Sequence, residues 1–193
     1  LLNKGSQILA FPGATLYKLE ELLEPLNREP HSVIGSSCIG ASIVGGVCNN
    51  SGGNLIKRGP AYTELSLFAQ VNNKGDLELI NHLGIDLGNS PEEILKNLQN
   101  LNFDSEDLPL TEKKASDNTY KESVREIDST TPARFNSDTN KLFESSGCAG
   151  KIAVFAVRLD TFKKANEKKV FYFGTNDTRT ITDIRKTILT QFK

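Results

Sequence analysis

Apolar and polar positions alternate along this chain in blocks that change period several times. Gln7-Ile8-Leu9-Ala10-Phe11 is a short apolar run halted by Pro12-Gly13, the pattern of a buried strand entering a turn. From Leu16 the apolar residues recur at spacings of three and four, as Leu16, Leu19, Leu22, Leu23 and Leu26. This predicts an amphipathic helix capped by Thr15, ended near Pro25, with that whole face in the core. Two strand-like runs, 64–71 and 77–83, flank Asn72-Asn73-Lys74-Gly75-Asp76, which reads as a hairpin loop with glycine where a positive φ is needed. A helix is expected over 91–101 with Ile94, Leu95 and Leu98 turned inward. The stretch 104–131 is polar enough to read as an exposed connection.

Order returns with a second cluster of small residues, Ser145 to Gly150, which leads into a strand over 151–159. Beyond Asp160 the pattern changes again, to a link rich in lysine (Lys163, Lys164, Lys168, Lys169), a strand expected over Val170 to Phe173, and a helix from about Asp177. Strands and helices mixed in this way point to an α+β fold, and the final 33 residues read as the beginning of another domain.

Composition narrows the functional classes. The 193 residues carry 23 Lys plus Arg against 24 Asp plus Glu, a net charge of -1, so there is no electrostatic footprint for nucleic acid. The longest apolar stretches are strand-sized, such as Ile152 to Val157, and none spans a bilayer. Three cysteines, Cys38, Cys48 and Cys148, without a C-x-x-C or a paired histidine, argue against a zinc site or a disulfide framework and fit a reducing compartment. The chain holds no methionine and opens on Leu1-Leu2, and it reads as a piece of a longer protein.

The candidate chemistry lies in the glycines. Six of the 15 fall between 35 and 53, interleaved with Ser36, Ser37, Ser42, Asn49, Asn50 and Ser51. Absent Cβ atoms let backbone N–H groups approach a bulky anion. The spacing is neither G-x-G-x-x-G nor G-x-x-x-x-G-K-[ST], so neither common nucleotide loop is supported. Tight crossing of buried backbone is the competing reading. The short polar side chains and the second glycine turn weigh against it.

The order of glycines and asparagines from Gly40 to Gly53 resembles the flavin loop of the vanillyl-alcohol-oxidase type of FAD domain. Within that superfamily, Glu29-Pro30-His31, Arg58-Gly59-Pro60, Asn81-His82-Leu83-Gly84, Thr131-Pro132-Ala133-Arg134 and Phe143-Glu144-Ser145-Ser146-Gly147-Cys148 resemble the bacterial quinone-dependent D-lactate dehydrogenases. The resemblance implies oxidation of D-lactate to pyruvate, FAD as cofactor and a membrane quinone as electron acceptor. It also implies a peripheral position on the cytoplasmic side of the bacterial inner membrane, with contact to anionic lipid made mostly outside this chain.

It further implies that residues 1–160 form the second subdomain of a two-part FAD-binding domain, and 161–193 the beginning of a substrate or cap domain. Carried over by position, the FAD contacts fall on Gly35, Ser42, Gly52 and Val154, with Ser36, Ser37, Gly40, Gly45 and Gly46 as weaker candidates. Gly35 and Gly52 would bring backbone to the cofactor, Ser42 would offer a hydroxyl, and Val154 would act through its main chain. Such a piece is expected to bind FAD weakly and to lack dehydrogenase activity alone.

Other residues take structural readings. His31 and His82 titrate in a useful range, yet hydrogen bonding to backbone is the expectation for both. The cysteines read as small buried thiols. Arg58 fits an ion pair at least as well as a cofactor phosphate. No catalytic base can be placed. Two further classes stay open: a flavin oxidoreductase of the same superfamily acting on another 2-hydroxy acid, and a non-catalytic module that uses the glycine loop for packing.

Overall fold

The computed structural model describes residues 1–31, 40–52, 55, 58–109, 111–130, 142–148 and 150–191. Among them, four strands form one antiparallel sheet in the order β1 (Gln7–Ala10), β5 (Ala153–Asp160), β3 (Ser66–Val71) and β4 (Leu77–Asn81). A two-stranded pair joins β2 (Arg28–Glu29) to β6 (Phe162–Lys163). Helices α1 (Leu16–Leu23) and α2 (Ile43–Cys48) share one core cluster with strands β1 and β5, and α3 (Pro91–Gln99) belongs to the other. The α+β expectation holds.

The register explains how one sheet serves two cores. Ile8 pairs with Leu159 and Ala10 with Val157, and these four side chains meet Leu16, Leu19, Leu23, Ile43, Val44 and Val47. Alternate positions point the other way. Leu9, Leu67, Leu79 and Ala156 pack with Leu83, Ile85, Leu87, Ile94 and Leu98. Fully buried leucines such as Leu23 and Leu159 each contribute roughly 2 kcal/mol through area removed from water.

The ladder between β3 and β5 shifts register between Leu67 and Phe68, so that Leu67 faces Ala156 but Phe68 faces Val154. Phe155 is the extra residue, a β-bulge. Without it Val154 would alternate to the far side of the sheet. With it, Val154 packs on the same side as α2.

Thr15 caps α1 as expected, its hydroxyl accepting from the Lys18 amide at 3.2 Å. The inward face is narrower than the leucine spacing suggests. Leu16, Leu19 and Leu23 are buried, whereas Leu22 is 50% exposed within the regular helix and Leu26 is 43% exposed in the 3-10 turn that follows at Pro25, Glu24–Leu26. The same holds for α3, where Ile94 and Leu98 are buried and Leu95 looks outward. The hairpin forms as expected, with the Asn72 side-chain carbonyl accepting from the amides of Lys74 and Asp76.

Two expectations are corrected. The stretch 104–131 is not merely an exposed connection. Ala115 and Ser116 are buried, the Lys114 carbonyl accepts from the Glu64 amide at 2.7 Å, and the Ala115 carbonyl accepts from Asp160 at 3.1 Å, so this segment closes the end of the sheet. It also holds a short helix, α4 (Tyr120–Ser123). Val170 to Phe173 is not a strand. All four residues are at least 60% exposed and have no pairing partner among the described strands. In the lysine-rich link, Lys164 pairs with Glu24 and Lys168 with Glu29. The last helix, α5 (Thr178–Gln191), appears where expected and buries none of its described residues.

Candidate functional site

The small-residue segment folds around α2. Ser42 caps this helix, its Oγ accepting from the Gly45 amide at 3.1 Å. A Cβ at Gly45 would come within 2.5 Å of that same oxygen, so the glycine is needed for the cap. Two glycines inside a six-residue helix each cost about 1 kcal/mol relative to alanine. Tertiary backbone bonds offset this. Leu16 donates to Ala41 and Ile43 to Ala14, each at 2.9 Å, and Ser51 donates to Gly46 at 2.8 Å. α2 is thus anchored at its start to the β1–α1 turn and at its end to its own following loop.

Gly40 and Gly52 flank the helix, at ends separated by about 9 Å from the rise per residue. At both positions a Cβ would meet no atom of the described residues within 4 Å, so each glycine backbone is uncovered by them. Gly40 has φ +91, which only glycine adopts readily. Gly46 instead faces inward, toward Ala61 and Ser51, and serves packing. Val154, half-buried, lies on the same side of the sheet. The structure therefore places Gly40, Ser42, Gly45, Gly46, Gly52 and Val154 on or around one helix. Gly35, Ser36 and Ser37 lie outside the described residues.

The second glycine turn docks on this helix. Gly147 donates its amide to the Val47 carbonyl at 3.0 Å, and a Cβ at Gly147 would lie 2.3 Å from the Asn50 side-chain nitrogen. The Ser146 hydroxyl donates to the Thr63 carbonyl at 2.8 Å and accepts from the Thr63 amide at 3.0 Å, fixing the turn to the sheet end. Glu144, at φ 45, accepts from or shares a proton with His82 Nδ1 at 2.7 Å, and Lys113 lies 3.8 Å away.

Asn50 is the residue that sequence reasoning left among the loop neighbours. It is 4% exposed, adopts φ 48, and neither its side-chain nitrogen nor its oxygen has a hydrogen-bond partner among the described residues. Buried side-chain amides are rarely left so. An asparagine just before Ser-Gly-Gly could have signalled a left-handed turn, but not the burial of its amide.

Of the two histidines, His82 departs from the expected backbone bonding. His31 is buried with no partner at Nδ1 among the described residues, and burial, then the Arg58 charge, lowers its pKa to about 4. His82 engages a carboxylate. Arg58 is a structural residue, its guanidinium bound to Glu29 at 2.9 Å and to the Pro30 carbonyl at 2.9 Å, over the Phe162 ring. Glu29, although burial opposes its ionisation, is held below the ordinary carboxylate range by Lys168 and Arg58. Cys48 and Cys148 are free thiols. No group of three or more His, Cys, Asp or Glu among the described residues could hold a metal, and no described helix is long and apolar enough to cross a membrane.

The fold and site define a layered unit of helices and antiparallel sheet that presents a glycine-lined, outward-facing backbone at both ends of a short helix. No family model matches the chain. Along its 193 residues, however, the chain is similar to quinone-dependent D-lactate dehydrogenases: it is 58% identical over 193 residues to that of Escherichia coli strain K12 and 57% identical to that of Haemophilus influenzae. The Corynebacterium glutamicum protein of the same name is 45% identical over 189 residues. The chain spans about a third of the length of these curated relatives, 34% of the first two and 33% of the third.

Proposed function

We propose that this chain is the part of a quinone-dependent D-lactate dehydrogenase that holds one side of FAD. D-lactate would be oxidised to pyruvate and the electrons passed to a membrane quinone, with the enzyme bound peripherally at the cytoplasmic side of the bacterial inner membrane. Residues 1–160 would belong to the cofactor domain and 161–193 to the beginning of the substrate domain. Alone, the chain is expected to be inactive.

The observation that carries this reading is the pair of open glycines, Gly40 and Gly52, at the two ends of a helix fixed by backbone bonds. A cofactor that must touch main chain needs such a face. Gly52 and Gly40 would bring amides to the cofactor. Ser42 Oγ already accepts from Gly45, which leaves its hydroxyl hydrogen to donate to a phosphate or flavin oxygen. Val154 would contribute only backbone atoms and apolar contact. Gly35, Ser36 and Ser37 complete the proposed set, and Gly45 and Gly46 support it by keeping the cap and the packing intact. When bound, FAD supplies the acceptor for the two electrons removed from the substrate carbon. This chain's part is to bind and orient it.

A segment exchange tests the reading. The corresponding third of the Escherichia coli relative is replaced by this chain and D-lactate-dependent quinone reduction is measured, with and without Gly52→Val. Activity with D-lactate, strongly reduced by the substitution, supports it. A folded chimera that binds FAD but turns over a different 2-hydroxy acid in place of D-lactate would point to another oxidoreductase of the superfamily.

A further inference from the structure

Two of the three cysteines are brought together by the fold across about a hundred residues of chain. Cys48 is the last residue of α2 and Cys148 follows Gly147 within the second glycine turn. The hydrogen bond between the Gly147 amide and the Val47 carbonyl, 3.0 Å long, sets the residue before each cysteine against the other. The Cys148 thiol lies beside that of Cys48 and interacts with it directly. Cys148 is 8% exposed and Cys48 is half-buried, so a reagent from solvent reaches the pair from the Cys48 side.

We propose that Cys48 and Cys148 form a dithiol–disulfide site that, on oxidation, bolts the end of α2 to the second glycine turn. The oxidant is a small-molecule disulfide. Its S–S bond is attacked by the Cys48 sulfur, which loses its proton to solvent as one thiolate leaves, and the mixed disulfide forms. Cys148 then gives up its own proton, attacks the Cys48 sulfur and displaces the second thiolate. Both thiolates take up protons. One S–S bond is broken and one is made; the protein loses two hydrogens and two electrons, and the reagent gains them as two free thiols.

The surroundings set when this happens. Burial, followed by the neighbouring Cys148, pushes the Cys48 thiol up to about 12, so little thiolate exists near neutrality and the pair stays reduced in a reducing compartment. The rate of closure should rise steadily with pH. Closing so long a loop restricts the unfolded chain strongly, so the oxidised form should resist heat better. The inference does not depend on the cofactor reading.

The test uses the full chain treated with oxidised glutathione at pH 7 and pH 9, followed by intact mass and non-reducing peptide mapping. The expected product is monomeric, lighter by two hydrogens, linked Cys48 to Cys148, formed faster at pH 9 and reversed by dithiothreitol. Cys38→Ser should give the same product, with an unfolding midpoint several degrees higher when oxidised. Loss of the product in Cys38→Ser, or accumulation of separate glutathione adducts on Cys48 and Cys148 without closure, would overturn the proposal. Differential alkylation of the untreated chain guards against misfolding as the cause, since the buried Cys148 must be protected until denaturant is added.

Discussion

Val47 and Gly147, a hundred positions apart in the chain, share a backbone hydrogen bond of 3.0 Å, the helix carbonyl accepting from the turn amide. The bond brings the two glycine clusters of the sequence into one structure. Gly147 has φ +68, and a side chain there would sit 2.3 Å from Asn50 and 2.6 Å from Leu142. Backbone freedom and lack of volume are both required at this point.

Gly147→Ala should therefore destabilise the chain by roughly 3 kcal/mol, combining left-handed strain with the steric clash. Gly150→Ala is the comparison. Its φ is +80 but nothing lies within 4 Å, so only the strain of about 1 kcal/mol applies. Urea unfolding of both variants measures the difference. Equal losses would mean that the contact with Asn50 is not tight.

Arg158 is a buried cation that ties three segments. Its Nε donates to Gln7 Oε1 at 2.8 Å, and one terminal nitrogen donates to the carbonyls of Leu83 at 3.1 Å and Gly84 at 3.3 Å. Replacing it with methionine keeps much of the volume but strands those acceptors, at a cost of about 2 to 3 kcal/mol. Thermal unfolding of Arg158→Met should show a midpoint lower by many degrees, and an unchanged midpoint would refute the bridging role.

Stability should depend on pH through His31. Burial first, and the Arg58 charge second, hold its folded pKa near 4, below the ordinary value of 6.5. The unfolded state therefore binds the proton more readily. Stability is complete above pH 6.5 and is lost as pH falls toward 4, by on the order of 3 kcal/mol in all. Denaturant titrations at several pH values would show this slope in the native chain and its reduction in His31→Leu.

Ser42→Ala removes the cap of α2 and should cost about 1 kcal/mol, whereas Ser42→Thr keeps the acceptor and most of the stability. If the hydroxyl also donates to a cofactor, the alanine variant loses FAD affinity beyond that stability effect, and threonine restores it. A threonine variant as impaired as alanine would separate the cap from binding.

The order of elements was legible because it rests on local chemistry: Thr15 before a leucine stripe, Gly75 in a five-residue loop, Pro91 opening a helix. The exposure of Leu22 and Leu26 was not, since spacing gives a stripe but neither its outer edge at Leu22 nor the turn at Pro25 that redirects Leu26. Val170 to Phe173 has strand composition without a strand, because an extended run needs a neighbour to pair with. Val154 could be named from a family pattern, yet its position on the α2 side depends on a bulge at Phe155 that no periodicity contains. The burial of Asn50 and the meeting of Cys48 with Cys148 arise from contacts between segments far apart in sequence.

The most direct test of the central claim is FAD titration of the full chain, followed by quenching of flavin fluorescence, with Gly52→Val in parallel. No atom of the described residues lies within 4 Å of a Cβ at Gly52, so the substitution should spare the fold, which circular dichroism can verify. Weak, saturable binding that drops at least tenfold in the variant, about 1.4 kcal/mol, is the expected result. Saturable binding of equal strength in both proteins would contradict the account, because the cofactor would then rest somewhere other than the backbone at Gly52.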